Sequence, residues 1–456
     1  VLSGKVSGTL RRLKYFNAFN RPKRTGITVS TLTGSLSLII FKEVAMPLII
    51  GMNSGSSFDG IDVVLAETEI ADDGFPCPPV FISGSSYSWP REVEEIILEA
   101  FENKLDMKAL TRLTYIAGAV MADSVNKFIK DNNINVKEIE VLGVDGQTIY
   151  QEPPSHDKIL KLTDEEKNNY VNRWLDGPYP AGYQIGDTSV IAGLTNITTV
   201  TNFRQADHVW GGSAAPLMQF LDFVLFRHKE KGTLTLNIGG IANAHLAHKD
   251  RRKMVACDTG PGNILSDNAA KILLDKPMDR NGEVASRGIV NNSLMEELKE
   301  HPYFHRAIPR SLWPKTDFSK SYCEKLFSKH SNLKTEDIMA TFCAFTAEAI
   351  AISLKDNMPQ NSLNDIDYMY ASGGGVKNPV IMKNIQDVLP NNIILKSSSE
   401  IGIPPEFKEA LKFAILAFST INGIANNIPA ASHASKYTIL GKVSFAPWKA
   451  KGIEPL

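Results

Sequence analysis

Apolar residues fall into two recurring patterns along this chain. Short β-branched runs end in small or polar residues, and between them lie longer stretches with apolar positions three and four apart. The first pattern reads as buried strands and the second as amphipathic helices; their alternation predicts an α/β fold rather than an all-β one. The first convincing strand is 48–51 (LIIG), and 61–65 (IDVVL) continues from a Gly/Ser turn as the second strand of a hairpin. The stretch 91–104 puts Val93, Ile96, Ile97 and Phe101 on one helical face. Short strands are expected at 139–143 and 199–203, a strand running into glycines at 234–241, an apolar helix at 338–354, and a strand at 367–372 ending in Gly373-Gly374-Gly375. Residues 151–183 break the pattern with several prolines, a charged run, Trp174 and Tyr179, and are expected to form a long surface loop or insertion. No internal repeat and no heptad pattern is visible.

With 456 residues, 43% of them hydrophobic, the chain can bury a large core and is long enough for two or three domains. Lys+Arg at 49 against Asp+Glu at 50 leaves no electrostatic footprint for nucleic acid or an anionic membrane. Cys77, Cys257, Cys323 and Cys343 are scattered, without metal-ligand spacing, and read as small buried hydrophobes in a reducing cytoplasm. No run of 18 apolar residues is present, so no bilayer-spanning helix is expected. Residues 1–45 stand apart: they carry Arg11, Arg12, Lys14, Arg21, Lys23 and Arg24, many Ser and Thr, and no acid before Glu43. That composition resembles a transit peptide; a disordered leader, or an extension ahead of a true start at Met46, is the expectation instead.

Four segments share one design, an apolar strand running into small residues with Asp or Asn. They are 51–62 (GMNSGSSFDGID), 237–243 (NIGGIAN), 258–263 (DTGPGN, with Asp267 beyond it) and 372–378 (SGGGVKN). Such turns offer backbone N–H groups and hydroxyls to phosphate oxygens. Asp59 and Asp62 next to phosphate would call for Mg²⁺, and the last turn can let a base or ribose approach the backbone. Each turn alone is more often structural than functional, and none fits the P-loop or the Rossmann fingerprint. Their order carries the information: a hairpin phosphate loop near the start, another in mid-chain and a triple-glycine nucleoside turn near the end.

That order resembles the actin/sugar-kinase ATPases. More specifically, 54–62 (SGSSFDGID), 146–148 (GQT), 184–186 (QIG), 203–217 (FRQADHVWGGSAAPL), NIGGIAN, DTGPGN, Asp279 with Gly282, GGGVKNP and Glu409-Ala410 occur in the order seen in anhydro-N-acetylmuramic acid kinases. A fungal-type member of the group, levoglucosan kinase, looks equally similar. The resemblance spans residues 46–443. It implies a two-domain, ribonuclease H-like fold with ATP in the interdomain cleft: an N-terminal lobe at 46–230 carrying the 151–183 insertion, and a C-terminal lobe at 231–456 whose last helix is a candidate to return to the first lobe.

The resemblance also implies the chemistry. Water attacks the anomeric carbon of a 1,6-anhydrosugar, the bridge opens, and the freed 6-oxygen takes the γ-phosphoryl group, with one general base needed. Asp207 matches the family's catalytic aspartate, and Arg204 is a second catalytic candidate, with a structural ion pair as the equal alternative. Nucleotide binding would fall to Gly55, Ser56, Ser57, Phe58, Asp59, Gly60, Ile61 and Asp62, to Gly239, Gly240 and Asn243, to Asp258, Gly260, Gly262 and Asn263, and to Gly373, Gly374, Gly375 and Asn378. Asp59 and Glu409 are the Mg²⁺ candidates. ATP and a small sugar are the expected partners, with a homodimer as the candidate assembly.

Three departures stand out. Asp145 occupies the place of the family's histidine before Gly146-Gln147-Thr148, Ala214 replaces a usual glycine, and 309–318 (PRSLWPKTDF) matches the family segment poorly. Asp145 and the 309–318 segment motivate a second reading, a catalytically weak nucleotide- and sugar-binding homologue; a third is a phosphatase or nucleotide hydrolase of the same fold, whose mark would be nucleotide turnover without a sugar acceptor. Trp210 is a sugar-stacking candidate, a core aromatic being the stronger reading; His156, His208 and His245 read as ordinary histidines.

Overall fold

The structure is a computed structural model that describes residues 26–28, 40–42, 46–55, 60–175, 177–306, 308, 310, 312 and 316–449. Residues 1–46 and Pro47–Leu456 separate into two compact units. In the first, Gly26–Thr28 pairs antiparallel with Ile40–Lys42; the rest of the expected leader lies outside the described residues, as do Ser56, Ser57, Phe58 and Asp59 of the first glycine-rich turn.

The larger unit holds two sheets. The first contains β1 (Leu48–Asn53), β2 (Ile61–Glu67), β3 (Val80–Tyr87) and β4 (Ile139–Val144). Next in sequence come β5 (Gln147–Gln151) and β6 (Gly182–Ile185), which pair with each other as a separate ribbon, and then β7 (Thr199–Thr201). The second sheet contains β8 (Thr233–Ile238), β9 (Ile241–Ala247), β10 (Val255–Pro261), β11 (Tyr368–Ser372) and β12 (Ile394–Ser397). A late strand, β13 (Lys442–Ser444), returns to the first sheet beside β7.

The strand orders are β13-β7-β4-β1-β2-β3 and β10-β9-β8-β11-β12. In each sheet the first three strands form an antiparallel meander and the next two add on in parallel from the first strand; β13 then joins the first sheet antiparallel to β7. The two sheets therefore repeat one topology that no internal sequence similarity announces, because strand order rests on burial pattern and connection length rather than on residue identity.

Helices cover both sheets. They include α1 (Arg91–Phe101), α2 (Met107–Asp131), the short α3 (Gln205–His208), α4 (Met218–Phe226), α5 (Ile264–Leu273), α6 (Thr335–Asn357) and α7 (Lys408–Ile421). α6 is long and apolar enough to cross a membrane by length and composition alone, yet 72% of its most apolar window is buried in the protein, as befits a core helix. α7 lies closest to a sheet. A methyl group on Gly51 of β1 would sit 2.0 Å from the Ala410 carbonyl oxygen, and one on Gly143 of β4 would sit 2.0 Å from that of Phe413. Only glycine at both places lets the helix backbone settle on the strands.

The insertion at 151–183 departs from the expected loop. It forms short helices at His156–Lys161, Asp164–Asn168 and Asn172–Leu175. Arg173 donates to the carbonyl of Lys167 within it and ties it to the rest of the unit by donating to the carbonyl of Val209. The sequence pattern missed these helices because each is too short to show a helical period.

Candidate active site

Asp207 sits on α3, which is only four residues long, and its carboxylate is buried. Oδ2 accepts from the Ala214 N–H at 3.0 Å, while Oδ1 accepts from Asn427 Nδ2 at 2.9 Å and from Ser432 Oγ at 3.1 Å. Gly212 makes this packing possible, since a methyl group there would lie 2.1 Å from Oδ2. Burial pushes the carboxyl above its ordinary range, and the three hydrogen bonds pull it partly back. A carboxylate has about four lone-pair sites; three are filled here, which leaves one on Oδ2. Ala214 adopts φ 49°, a left-handed conformation natural to the glycine it replaces.

Arg204 caps the start of α3. Its Nη2 lies 3.2 and 3.0 Å from the two carboxylate oxygens of Asp145, and Nη1 donates to the Ala214 carbonyl at 2.7 Å. The carboxylate before Gly146-Gln147-Thr148 is thus paired with the arginine of the 203–217 motif. The same Ala214 whose N–H holds Asp207 accepts from Arg204, so Asp145, Arg204 and Asp207 form one chain of contacts. Nearby, Gln147 is fully buried and its Oε1 accepts from Ser54 Oγ at 2.6 Å, tying 146–148 to the first turn. His208 is buried, with its pKa lowered to about 4 by burial and then by the Arg204 charge, and is a neutral core residue. His245 lies between Asp222 and Thr235 in the core. Trp210 carries Lys436 Nζ 4.3 Å from its ring centre.

The glycine-rich turns of the second sheet pack on one another. The N–H groups of Gly262 and Asn263 donate to the carbonyls of Gly240 and Gly239 at 2.9 and 2.8 Å. Asn237 and Asn243 face each other across the hairpin, and Gly373 packs against the carbonyl of Ile238. Gly260 lies within β10, so the DTGPGN motif is a strand end rather than a free turn. Asp258 there accepts from the Leu312 N–H at 3.1 Å, and burial pushes its carboxyl up to about 6. Asn378 uses Oδ1 to cap the helix Pro379–Val388, at 3.0 and 3.3 Å from the N–H groups of Val380 and Ile381. In the first turn, Ile61 is buried in β2, and Asp62 stands opposite Asn53 and accepts from Ser86 Oγ. Gly55 and Gly60 flank the residues outside the description.

Glu409, in the first turn of α7, joins the two sets. Its Oε2 lies 3.4 Å from Asn53 Nδ2 at the end of β1, and its Oε1 lies 3.4 Å from Asn237 Nδ2 near the end of β8. Matching strands of the two sheets thus end at one carboxylate, held by two long contacts. Methyl groups on Gly240 or Gly374 would meet nothing within 4 Å, so both backbones face space that phosphate or ribose can enter. Among the described residues no three His, Cys, Asp or Glu side chains gather as a metal cage. A Mg²⁺ beside Glu409 would therefore draw most of its ligands from phosphate and water, as this ion usually does.

Several members of this arrangement escape sequence reasoning. Asn427 and Ser432 reach Asp207 across 220 and 225 residues, a distance no local pattern bridges. Asn53 and Asn237 lie inside motifs already singled out, but their shared contact with Glu409 depends on the tertiary fold.

A doubled sheet whose matching hairpin strands converge in this way is the fold of the actin-like sugar kinases, phosphotransferases that take an alcohol as acceptor. Within that class the chain belongs to the anhydro-N-acetylmuramic acid kinase family, whose family model matches residues 47–173 and 168–446. It is 32% identical over 399 residues to the anhydro-N-acetylmuramic acid kinase of Francisella tularensis subsp. novicida, covering 87% of this chain and 98% of that one. The kinases of the same name from Bacillus cereus and Pasteurella multocida are each 30% identical, covering 88% of this chain and 99% and 97% of theirs. Among solved structures, a ROK family glucokinase from Streptomyces griseus aligns with a TM-score of 0.33 and 9% identity over 82% of this chain and 99% of that one. The fold assignment rests on the topology of the two sheets and on the family match, not on that distant likeness.

Proposed function

We propose that this protein uses Mg·ATP to phosphorylate a 1,6-anhydrosugar of the anhydro-N-acetylmuramic acid or levoglucosan type, with Asp207 as general base. The observation that carries the reading is the convergence of β1 and β8 on Glu409, with the Asp207 motif linked to the same region through Arg204 and Asp145. A water gives its proton to the remaining lone pair on Asp207 Oδ2 while its oxygen bonds to the anomeric carbon. The bond from that carbon to the bridging oxygen breaks, and the freed 6-oxygen takes the γ-phosphoryl group, releasing ADP. Burial supports the base role by making Asp207 more basic than an ordinary carboxylate. The backbones at Gly239–Gly240 and Gly373–Gly375 would receive the nucleotide, and Glu409 would meet the Mg²⁺, which supplies charge neutralisation when bound. The two lobes at 46–230 and 231–456, and a cytoplasmic setting consistent with four free cysteines, belong to the same reading.

The test is ADP release measured with and without 1,6-anhydro-N-acetylmuramic acid and levoglucosan, in wild type and in Asp207→Asn. Turnover should depend on an anhydrosugar and fall by about 10²–10⁴ in the variant, with ATP affinity nearly kept. ATP turnover without any sugar would favour a hydrolase, nucleotide binding without turnover would favour a binding homologue, and near-normal turnover in Asp207→Asn would put the base elsewhere.

A further inference from the structure

One buried cation near this site has no part in the chemistry above. Lys412 lies on α7 one turn beyond Glu409 and is only 6% exposed. Among the described residues it has no hydrogen-bond acceptor and no carboxylate within 4.0 Å, and its Nζ rests 4.3 Å from the Phe413 ring centre. Long side chains on a helix lean toward its N-terminus, which carries this ammonium back toward the turn that holds Glu409. The charges that act on it are Glu409, Asp145, Arg204 and Lys408. Asp145 is already taken by Arg204, Lys408 is paired with Asp222 at 2.8 Å, and Glu409 is in contact with Asn53 and Asn237. Arg204 Nε is a buried donor without a partner, and Lys412 Nζ has no partner among the described residues. A carboxylate would satisfy a structural ammonium; one on a largely buried side chain without that partner is poised for an anion that arrives with the substrates.

We propose that Lys412 binds the phosphoryl group in transfer, contacting its oxygens as it passes from ATP to the sugar, with Arg204 Nε as the neighbouring donor. The ligand class is a phosphoryl anion, and the contact strengthens as negative charge moves onto the transferring group. This rests on the kinase reading above but is tested apart from it.

The experiment compares wild type with Lys412→Met, which keeps the length of the side chain and removes its charge. Three quantities are measured: the melting temperature of the free protein, its rise with Mg·ADP alone and with Mg·ADP plus aluminium fluoride, and steady-state turnover. The variant is expected to melt at or above the wild-type temperature, because no native partner loses its mate. It should keep the Mg·ADP rise, lose the additional rise from aluminium fluoride, and lose about 10²–10³ in kcat with smaller changes in KM. A variant that melts lower and loses activity in proportion would make Lys412 a structural cation and overturn the proposal. An aluminium fluoride effect that is absent from wild type, or equal in both proteins, would do the same. If wild type phosphorylates neither sugar, the kinase reading fails, while the aluminium fluoride comparison still reports whether Lys412 meets the anion.

Discussion

Asp222 is buried and Asp258 half-buried, yet their surroundings push the two carboxyls in opposite directions. At Asp222 burial raises the pKa, but the Lys408 charge and the bond to His245 outweigh it and hold the group well below the usual carboxylate range. At Asp258 burial is opposed by a single backbone bond from Leu312, and the carboxyl rises to about 6. The stability consequences differ in sign and in window. The Asp222 contribution is present above the ordinary carboxylate pKa and is lost as pH falls through its depressed folded value. Asp258 gives its proton up first in the unfolded chain, so stability falls as pH rises from about 4 to about 6 and is level above that. Asp258→Asn keeps an acceptor for the Leu312 N–H and removes the titration. Its melting temperature relative to wild type should climb across that interval and then plateau, as read by melting curves at stepped pH; a constant offset at every pH would place the raised carboxyl elsewhere. At this scale the sequence pointed to Asp207, Arg204 and Glu409 because each sits inside a compact motif. It was silent on Asn427, Ser432 and the pairing of Asp145 with Arg204, because those depend on chain segments that meet only in the folded state.

Among the elements, α7 has the most to do. Its first turn carries Glu409, its second Lys412, and its inner face lies directly on β1 and β4 through Gly51 and Gly143. A methyl group at Gly143 has no free volume to enter, and the backbone carbonyl it meets cannot rotate aside, so the helix itself must move. Gly143→Ala should cost about 1–3 kcal/mol as an overpacked contact, and by lifting α7 it should also weaken nucleotide use. Gly193→Ala is the control: that glycine sits in the helix Thr188–Thr195 with nothing within 4 Å of the added methyl, and it should gain up to about 1 kcal/mol from helix propensity. Urea unfolding of both variants checks the signs, and a neutral Gly143→Ala would mean that the helix can recede without loss. Of α7 the sequence analysis picked out only Glu409-Ala410, and its seat on two glycines was not legible. Each of those glycines stands in a β-rich run, where a sequence reading sees only a slightly weakened strand.

For the molecule as a whole, the repeated sheet topology explains why glycine-rich turns recur along the chain at wide spacing. Each sheet begins with a hairpin, and placing two such hairpins face to face gives a nucleotide two opposed sets of backbone donors. The order of the turns was legible in sequence, and from it the fold class. The duplication was not, because beyond Asn53 and Asn237, which both meet Glu409, the matching strands share little residue identity.

Closure on the substrates is the motion this architecture leads one to expect. α7 packs on the first sheet, while Lys408 at its N-terminal end is bound to Asp222, which also holds Thr235 of β8 and His245 of β9. That buried cluster joins the start of the helix firmly to the second sheet, whereas the ends of β1 and β8 reach Glu409 through two long 3.4 Å contacts. A helix packed on one sheet and bound to the other can serve as the pivot of a hinge. Nucleotide at the second-sheet turns and sugar beside Asp207 would supply the missing contacts and draw the sheets together, excluding water from the transferring phosphoryl group. Small-angle scattering should show the radius of gyration falling with a non-hydrolysable ATP analogue plus an accepted anhydrosugar, and falling less with either alone. An unchanged radius with both bound, under conditions where calorimetry shows both sites filled, would mean that the cleft is already closed and that opening for product release is the motion to look for.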